Sequence, residues 1–320
     1  MQVFGKGSLQ AQPGLVATAA MLLLCSQLSY AQNTENTGSS GTGKHNAVEF
    51  LFGYTPSVLA AAIAGGVYLI TGAILLFNVI RHRNWWGLCL PIGAVAMALG
   101  FGVRILLHMP EHQTKSILIP EEVLVSCSPA AYLAFNYIVY GRLLRFNIGD
   151  RHSLIRPSWI GAMFILSDVS TFVIQAAGAA MMTNADSVKN GENIFKLGVI
   201  LQSISYYIFC VFMIWTWWSL RREGKSSGQE PWWMAFRTLG ISSAFIIVRT
   251  AYRIVESSTP RGSYIRSHEM FLYLLDVLPL FIAISFYIFW WPGKYMPIKG
   301  GGLPEEYSYV KNETAWNEAA

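Results

Sequence analysis

Ionisable and amide side chains interrupt several long apolar stretches of this 320-residue chain, and their spacing is helical. Asp168 is followed seven residues later by Gln175; Arg249, Arg253 and Glu256 stand at i, i+4 and i+7, as do Glu269, Tyr273 and Asp276, with His268 directly ahead. Arg104 and Gln202 sit in stretches of their own. On a helix these spacings put each set on one face. A charge at the centre of a membrane helix costs about 2.5 to 3.5 kcal/mol on insertion scales, so each group needs a partner, a cavity or a function. The chemistry within reach is electrostatic: arginine–carboxylate pairs keep both signs ionised in an apolar setting, and either sign can meet a charged headgroup.

Counting about 1.5 Å per residue from the helix ends gives the depth of each group. Asp168 and Arg249 fall near the midplane, Asp276 and Gln202 somewhat outside it. Arg104, Arg253, Glu256, His268 and Glu269 lie toward the face on which the first segment begins, while the other half is almost bare. A polar cavity in that half follows, with Arg249 and Arg253 facing Asp276, Glu269 or Asp168. The competing structural roles are registry pairs for the charges, interhelical hydrogen bonding for Gln175 and Gln202, and close helix approach at Gly65, Gly66, Gly72 and Gly178. Pro129 and Pro279 are expected to kink their helices.

The elements that carry these residues follow from composition. The chain is 53% hydrophobic and 13% charged, against about 25% charged in a soluble domain. Seven stretches are long enough to cross a bilayer as helices: about 57 to 80, 86 to 107, 118 to 142, 157 to 182, 194 to 218, 235 to 255 and 269 to 291. They lack period-two alternation, so the expected fold class is all-α: a polytopic membrane protein, a seven-transmembrane-helix bundle with its N-terminus outside and its C-terminus cytoplasmic. Residues 1–31, with Lys6, an apolar run and Ser29-Tyr30-Ala31, look like a cleaved signal peptide. Residues 32–53 are expected to be a flexible extracellular tail, 54–297 the transmembrane domain, and 298–320 a flexible cytoplasmic tail. Orientation comes from Arg81, Arg83, Arg142, Arg145, Arg151, Arg156, Arg221, Arg222, Lys225, Arg237, Lys294, Lys299 and Lys311: 13 cytoplasmic cations against 7 outside. Trp85, Trp86, Trp159, Trp217, Trp218, Trp232, Trp233, Trp290 and Trp291 then gather at the cytoplasmic interface, and the sequon at Asn312 would stay unglycosylated.

Several functions lack their motifs. There is no GxxxxGK[ST] loop for nucleotide and no lysine between Glu269 and Trp291 for a retinal pigment. His108, His112 and His268 are the only candidates for a metal, and Pro110 breaks the face between the first two. Cys25, Cys89, Cys127 and Cys210 suit neither a disulfide framework nor zinc. The net charge of +5 is spent on topogenic clusters rather than on nucleic acid. No cofactor and no catalytic residue are expected, and no protein partner is indicated.

The stretch from Tyr54 to about Pro297 resembles the fungal lipid-translocating exporter family, the RTA-like proteins linked to resistance to aminocholesterol and sphingoid bases. The likeness rests on Tyr54-Thr55-Pro56-Ser57, Gly100-Phe101-Gly102-Val103-Arg104, Ser128-Pro129-Ala130-Ala131 with Tyr140-Gly141-Arg142, Asp168 with Gln175 and Gly178, and Gly198 with Gln202. Its strongest part is Arg249, Arg253 and Glu256, followed by Gly262, His268-Glu269, Tyr273, Asp276 and Pro279. One departure is Met97, where the family often has a glutamate. The resemblance implies a plasma-membrane protein that moves or senses amphipathic lipids, mainly long-chain bases and sterol-like amines, with porphyrin traffic and stress resistance among related members.

The expected activity is non-ATP-driven translocation of an amphipathic lipid, with Asp168 and Asp276 pairing with a cationic headgroup and Arg249 and Arg253 keeping those acids ionised. A seven-helix receptor for an extracellular lipid fits the same topology. An intramembrane lipid hydrolase using the outer histidines is the third reading.

Overall fold

The computed structural model describes residues 57–109, 115–149, 152–153, 155–182, 187–223, 230, 232–260 and 263–295. The expected signal segment, both tails, His112 and the Asn312 sequon lie outside them. Among the described residues every regular element is helical. The long elements are α1 (Val58–Arg81), α2 (Cys89–Leu106, after a 3-10 turn at Trp85–Gly87), α3 (Lys115–Leu143, ending in a π turn at Leu144–Ile148), α4 (Pro157–Met181), α5 (Val188–Arg222) and α6 (Trp232–Ser258). A single turn at Tyr264–Ser267 leads into α7, which comprises Glu269–Leu272, a π turn at Tyr273–Val277, and Leu278–Phe289.

Local chemistry sets the helix starts. Ser57 caps α1 by accepting the Ala60 N–H on its Oγ, and Pro157 opens α4 where no backbone donor is needed. Among the described residues six helices are long and apolar enough to cross a membrane: α1, α2, α4, α5, α6 and α7. Their outer surfaces are inverted relative to a soluble protein, with Leu59 at 72% and Leu166 at 68% exposure. Side chains of that kind belong against lipid tails.

Sequential helices pack against one another, and α7 returns to α1 to close the ring; α3 also touches α6 across the bundle. This central position explains an unbroken buried run on α3 from Ala131 through Tyr140, which includes Asn136 and three tyrosines. The tightest seam joins α4 to α5. A Cβ on Gly178 would lie 2.5 Å from the Phe195 nitrogen and 2.9 Å from the Gly191 carbonyl oxygen, so only glycine permits this approach. Gly65 and Gly72 similarly face α2, whereas Gly66 faces nothing.

Two details depart from the sequence reading. The fifth helix begins at Val188 rather than near 194, because the polar segment Val188 to Phe195 stays helical against α4. The tryptophans do not all serve as interfacial anchors. Trp85 and Trp159 are exposed, but Trp86, Trp232 and Trp291 are buried, with Trp86 stacked between Phe135 and Trp291 at 5.8 and 6.4 Å. Where a kink was expected at Pro279, the helix has a π turn just before it. Proline offers no N–H to the preceding turn, and the wider turn absorbs that loss.

Candidate functional site

The end of the bundle where α1, α3, α5 and α7 begin carries the densest charge. Arg104, in the last turn of α2, donates to Glu121 of α3 at 2.8 Å and to Glu269 of α7 at 3.4 Å. Glu269 also accepts from the Tyr273 hydroxyl at 3.2 Å and from the Ser57 backbone N–H at 2.9 Å. Four helices are therefore tied at one acid–base cluster. Beside it, Arg253 of α6 reaches Glu256 at 2.8 Å and the Ser126 hydroxyl of α3 at 3.0 Å. Arg104, Glu121, Arg253 and Glu256 border a cavity of about 250 Å³, whose wall also includes Glu192, Lys196, Arg266 and His268.

One level deeper, Arg249 of α6 donates to Asp276 of α7 at 2.6 Å, with Asp276 fully buried inside the π turn. The π turn decides this contact. By inserting an extra residue in the turn it offsets Asp276 from the straight i, i+4, i+7 face of Glu269 and Tyr273. Gln175 of α4 donates to Gln202 of α5 at 2.9 Å. Gln175, Gln202, Tyr206, Arg249 and Arg253 surround a chamber of about 10 Å³, near the size of a single water. Arg253 borders both spaces, so it forms the floor between them.

Below the chamber lies a hydroxyl and amide network centred on Asn136 of α3. It accepts from Tyr287 at 2.7 Å and donates toward Tyr206 at 3.3 Å and Ser242 at 3.4 Å. Asp168 of α4 stands apart from both spaces. The Tyr137 hydroxyl donates to its Oδ2 at 3.0 Å, and its buried Oδ1 has no hydrogen-bond partner among the described residues.

The sequence-derived candidates thus divide into three groups. Arg104, Arg253, Glu256 and His268 line the larger cavity, with Glu269 and Tyr273 held to it through Arg104. Gln175, Gln202 and Arg249 line the chamber, and Asp276 is bound to Arg249. Asp168 joins neither group. Among the described residues no three His, Cys, Asp or Glu side chains gather as a metal would require. Sequence reasoning missed Glu121, Ser126, Asn136 and Tyr137. Glu121 had a usable signal, since Arg104 in an apolar stretch demands an acid and the next segment opens with Pro120-Glu121-Glu122. Asn136 and Tyr137 had none beyond being polar within an apolar run.

An all-helical bundle sheathed in apolar side chains, with ion pairs around a cavity at one end, defines an integral, multi-pass membrane protein. The chain belongs to the RTA1-like protein family, whose profile matches residues 90–299. Similar proteins from Saccharomyces cerevisiae include Protein RTM1, 29% identical over 66% of this chain and 70% of its own length. Protoporphyrin uptake protein 1 is 31% identical over 60% of this chain and 64% of its own length. The sphingoid long-chain base transporter RSB1 is 23% identical over 77% and 75%. No solved structure matches the chain.

Proposed function

We propose that this protein is a seven-crossing, non-ATP-driven translocator of amphipathic lipids, with sphingoid long-chain bases as the leading substrate class, acting in the plasma membrane. The observation that carries this reading is the cavity of about 250 Å³, charged on its walls yet set in a bundle whose outside is apolar. A lipid has that same division, with a charged head to be enclosed and a tail to be left between helices in the bilayer. The similarity to a relative named as a long-chain base transporter agrees with it.

The seventh crossing is α3. A helix screened by its neighbours, as α3 is from Ala131 through Tyr140, needs less hydropathy than one facing lipid, because its polar groups find protein partners. With the N-terminal side outside, the cavity opens to the outside. An ammonium headgroup entering it meets Glu256 and Glu192 on the wall. To go deeper it must part Arg253 from Glu256, and it can then take the place of Arg249 on Asp276. Exchanging one cation for another keeps the buried carboxylate paired throughout, and the displaced Arg249 guanidinium stays on the polar wall of the chamber it lines with Gln175, Gln202 and Tyr206, so neither charge is left in an apolar setting. Asp276 is thus the binding acid of the passage and Arg249 its resting partner.

The test is the rate at which a fluorescent long-chain base moves between leaflets of liposomes holding the purified protein. We expect crossing above empty liposomes for the wild type and loss of at least about tenfold for Asp276→Asn, equivalent to about 1.4 kcal/mol of lost stabilisation. No crossing by the wild type in either orientation, with or without a pH gradient, overturns the translocator reading for that lipid.

A second cargo is favoured by one observation. The relative named for protoporphyrin uptake is 31% identical, and the cavity wall carries Arg104, Lys196, Arg253 and Arg266, cations suited to carboxylates. Competition by protoporphyrin for crossing of the long-chain base would show a shared passage; movement of protoporphyrin alone would replace the first cargo with the second.

A further inference from the structure

A translocator with no nucleotide loop needs another source of direction, and the interior holds a group that the lipid passage does not use. Asp168 is 3% exposed, and among the described residues its carboxylate accepts one hydrogen bond, from the Tyr137 hydroxyl, while its backbone carbonyl accepts from Thr171. The elements packed against α4 are α3 and α5. From α3 the titratable group facing Asp168 is Tyr137; from α5 the neighbours of Tyr137 are Tyr206, whose ring centroid is 6.2 Å away, and Cys210. None of these is a cation. This is the opposite of Asp276, which has Arg249 at 2.6 Å. A carboxylate in an apolar interior without a counter-charge is strongly disfavoured, and a proton is the counter-charge it can always acquire.

The geometry points to Asp168 as a proton-binding site that couples lipid movement to a proton gradient. This rests on the translocator reading and supplies the coupling ion it lacks. Oδ1, the oxygen with no partner, carries the proton, while Oδ2 remains on the Tyr137 hydroxyl. Polar groups stand in separate steps between the site and either end of the bundle. Arg253 floors the outer cavity and borders the chamber, Tyr206 borders the same chamber, and Tyr206 packs on Tyr137. On the other side, Tyr140 lies one residue row below Tyr137 on α3 and shares a hydrogen bond of 2.7 Å with Thr216, which donates to the His152 carbonyl. His152 bonds Ser219 at 2.8 Å and Glu223 at 3.3 Å at the end of α5. A proton taken up from one end and released at the other accounts for the full charge balance of one exchange: one H⁺ moves one way as one lipid moves the other.

The experiment uses the full chain in liposomes and a fluorescent long-chain base whose nitrogen is a quaternary ammonium, so that it cannot be trapped by losing a proton. We expect a gradient of one pH unit to change its steady-state distribution about tenfold for one proton per lipid. Asp168→Asn should still pass the lipid but lose the response to the gradient, and Asp168→Glu should restore part of it. A wild type indifferent to the gradient, or an Asp168→Asn protein that responds as the wild type does, overturns the proposal while leaving translocation standing. An infrared readout judges the site apart from transport. The carbonyl band of a protonated, buried carboxyl should be present in the wild type, altered in Asp168→Glu and missing in Asp168→Asn. If no lipid moves at all, the translocator reading falls, and the absence of that band from the wild type would then remove the proton site as well.

Discussion

Arg104 shows how a single side chain can organise one end of the bundle. It is 2% exposed and bridges Glu121 and Glu269, which in turn holds Tyr273 and the start of α1. Removing one member of a buried ion pair typically costs about 3 to 5 kcal/mol, whereas replacing both with apolar residues of similar size is often neutral. Glu121→Ala should therefore lower the thermal unfolding midpoint in detergent, and Arg104→Leu with Glu121→Leu and Glu269→Gln, which leaves no charge unpaired and keeps an acceptor for Ser57 and Tyr273, should recover most of that loss. If the triple variant is the less stable of the two, the cluster does more than fix registry. At this scale the charged residues were legible in the sequence, because each one interrupts an apolar run and must be compensated. Their partners were less so. Arg249 was expected near Asp276, Glu269 or Asp168, and it took Asp276. Glu121 escaped notice because it stands near the start of its segment, where an acid can also belong to a loop.

Among elements, the α4–α5 seam is set by glycine and read out by glutamine. Gly178 abuts the backbone of Phe195, and Gly198 lies where its Cβ would come 2.6 Å from Gln175 Cγ. The Gln175–Gln202 bond at 2.9 Å exists only because the two backbones come this close. Gly178→Val would force the helices apart at a cost of about 1 to 3 kcal/mol, and the variant should melt earlier. Gly66→Ala, where nothing lies within 4 Å, should stay within about 0.5 kcal/mol of wild type. Equal effects at both positions would mean that helix propensity rather than close approach sets the stability. The apolar runs made the helices visible from the sequence. The π turn at Tyr273–Val277 was not visible, since a single extra residue per turn leaves no trace in the hydrophobic pattern. It nonetheless decides where Asp276 stands.

For the whole molecule, the consequence of α3 is one of parity. Among the described residues six helices are apolar enough to cross on their own, and six crossings would leave both ends of the chain on the same side. If the shielded α3 crosses as well, the ends lie on opposite sides. The distribution of 13 cations against 7 favours a cytoplasmic C-terminal end. The sequon Asn312-Glu313-Thr314 reports that side directly, and a second sequon introduced between residues 32 and 53 reports the other. Seven crossings predict glycan on the introduced site and none at Asn312 when the protein is made through the secretory pathway. Glycan at both, or at neither, means an even number of crossings and would place α3 as a helix that enters the bundle without traversing it. That outcome would also remove the opening of the cavity to the outside as a fixed point, because Arg104, Glu121 and Arg253 would then belong to an end whose side is set by the first helix alone. Glycan at the introduced site only, by contrast, puts the charged cavity and the greater share of basic residues on opposite faces. A cationic lipid would then meet a cavity wall of both signs on the outer side and an excess of cations on the inner, which opposes its approach from the cytoplasm and gives an inward flow of protons work to do in export.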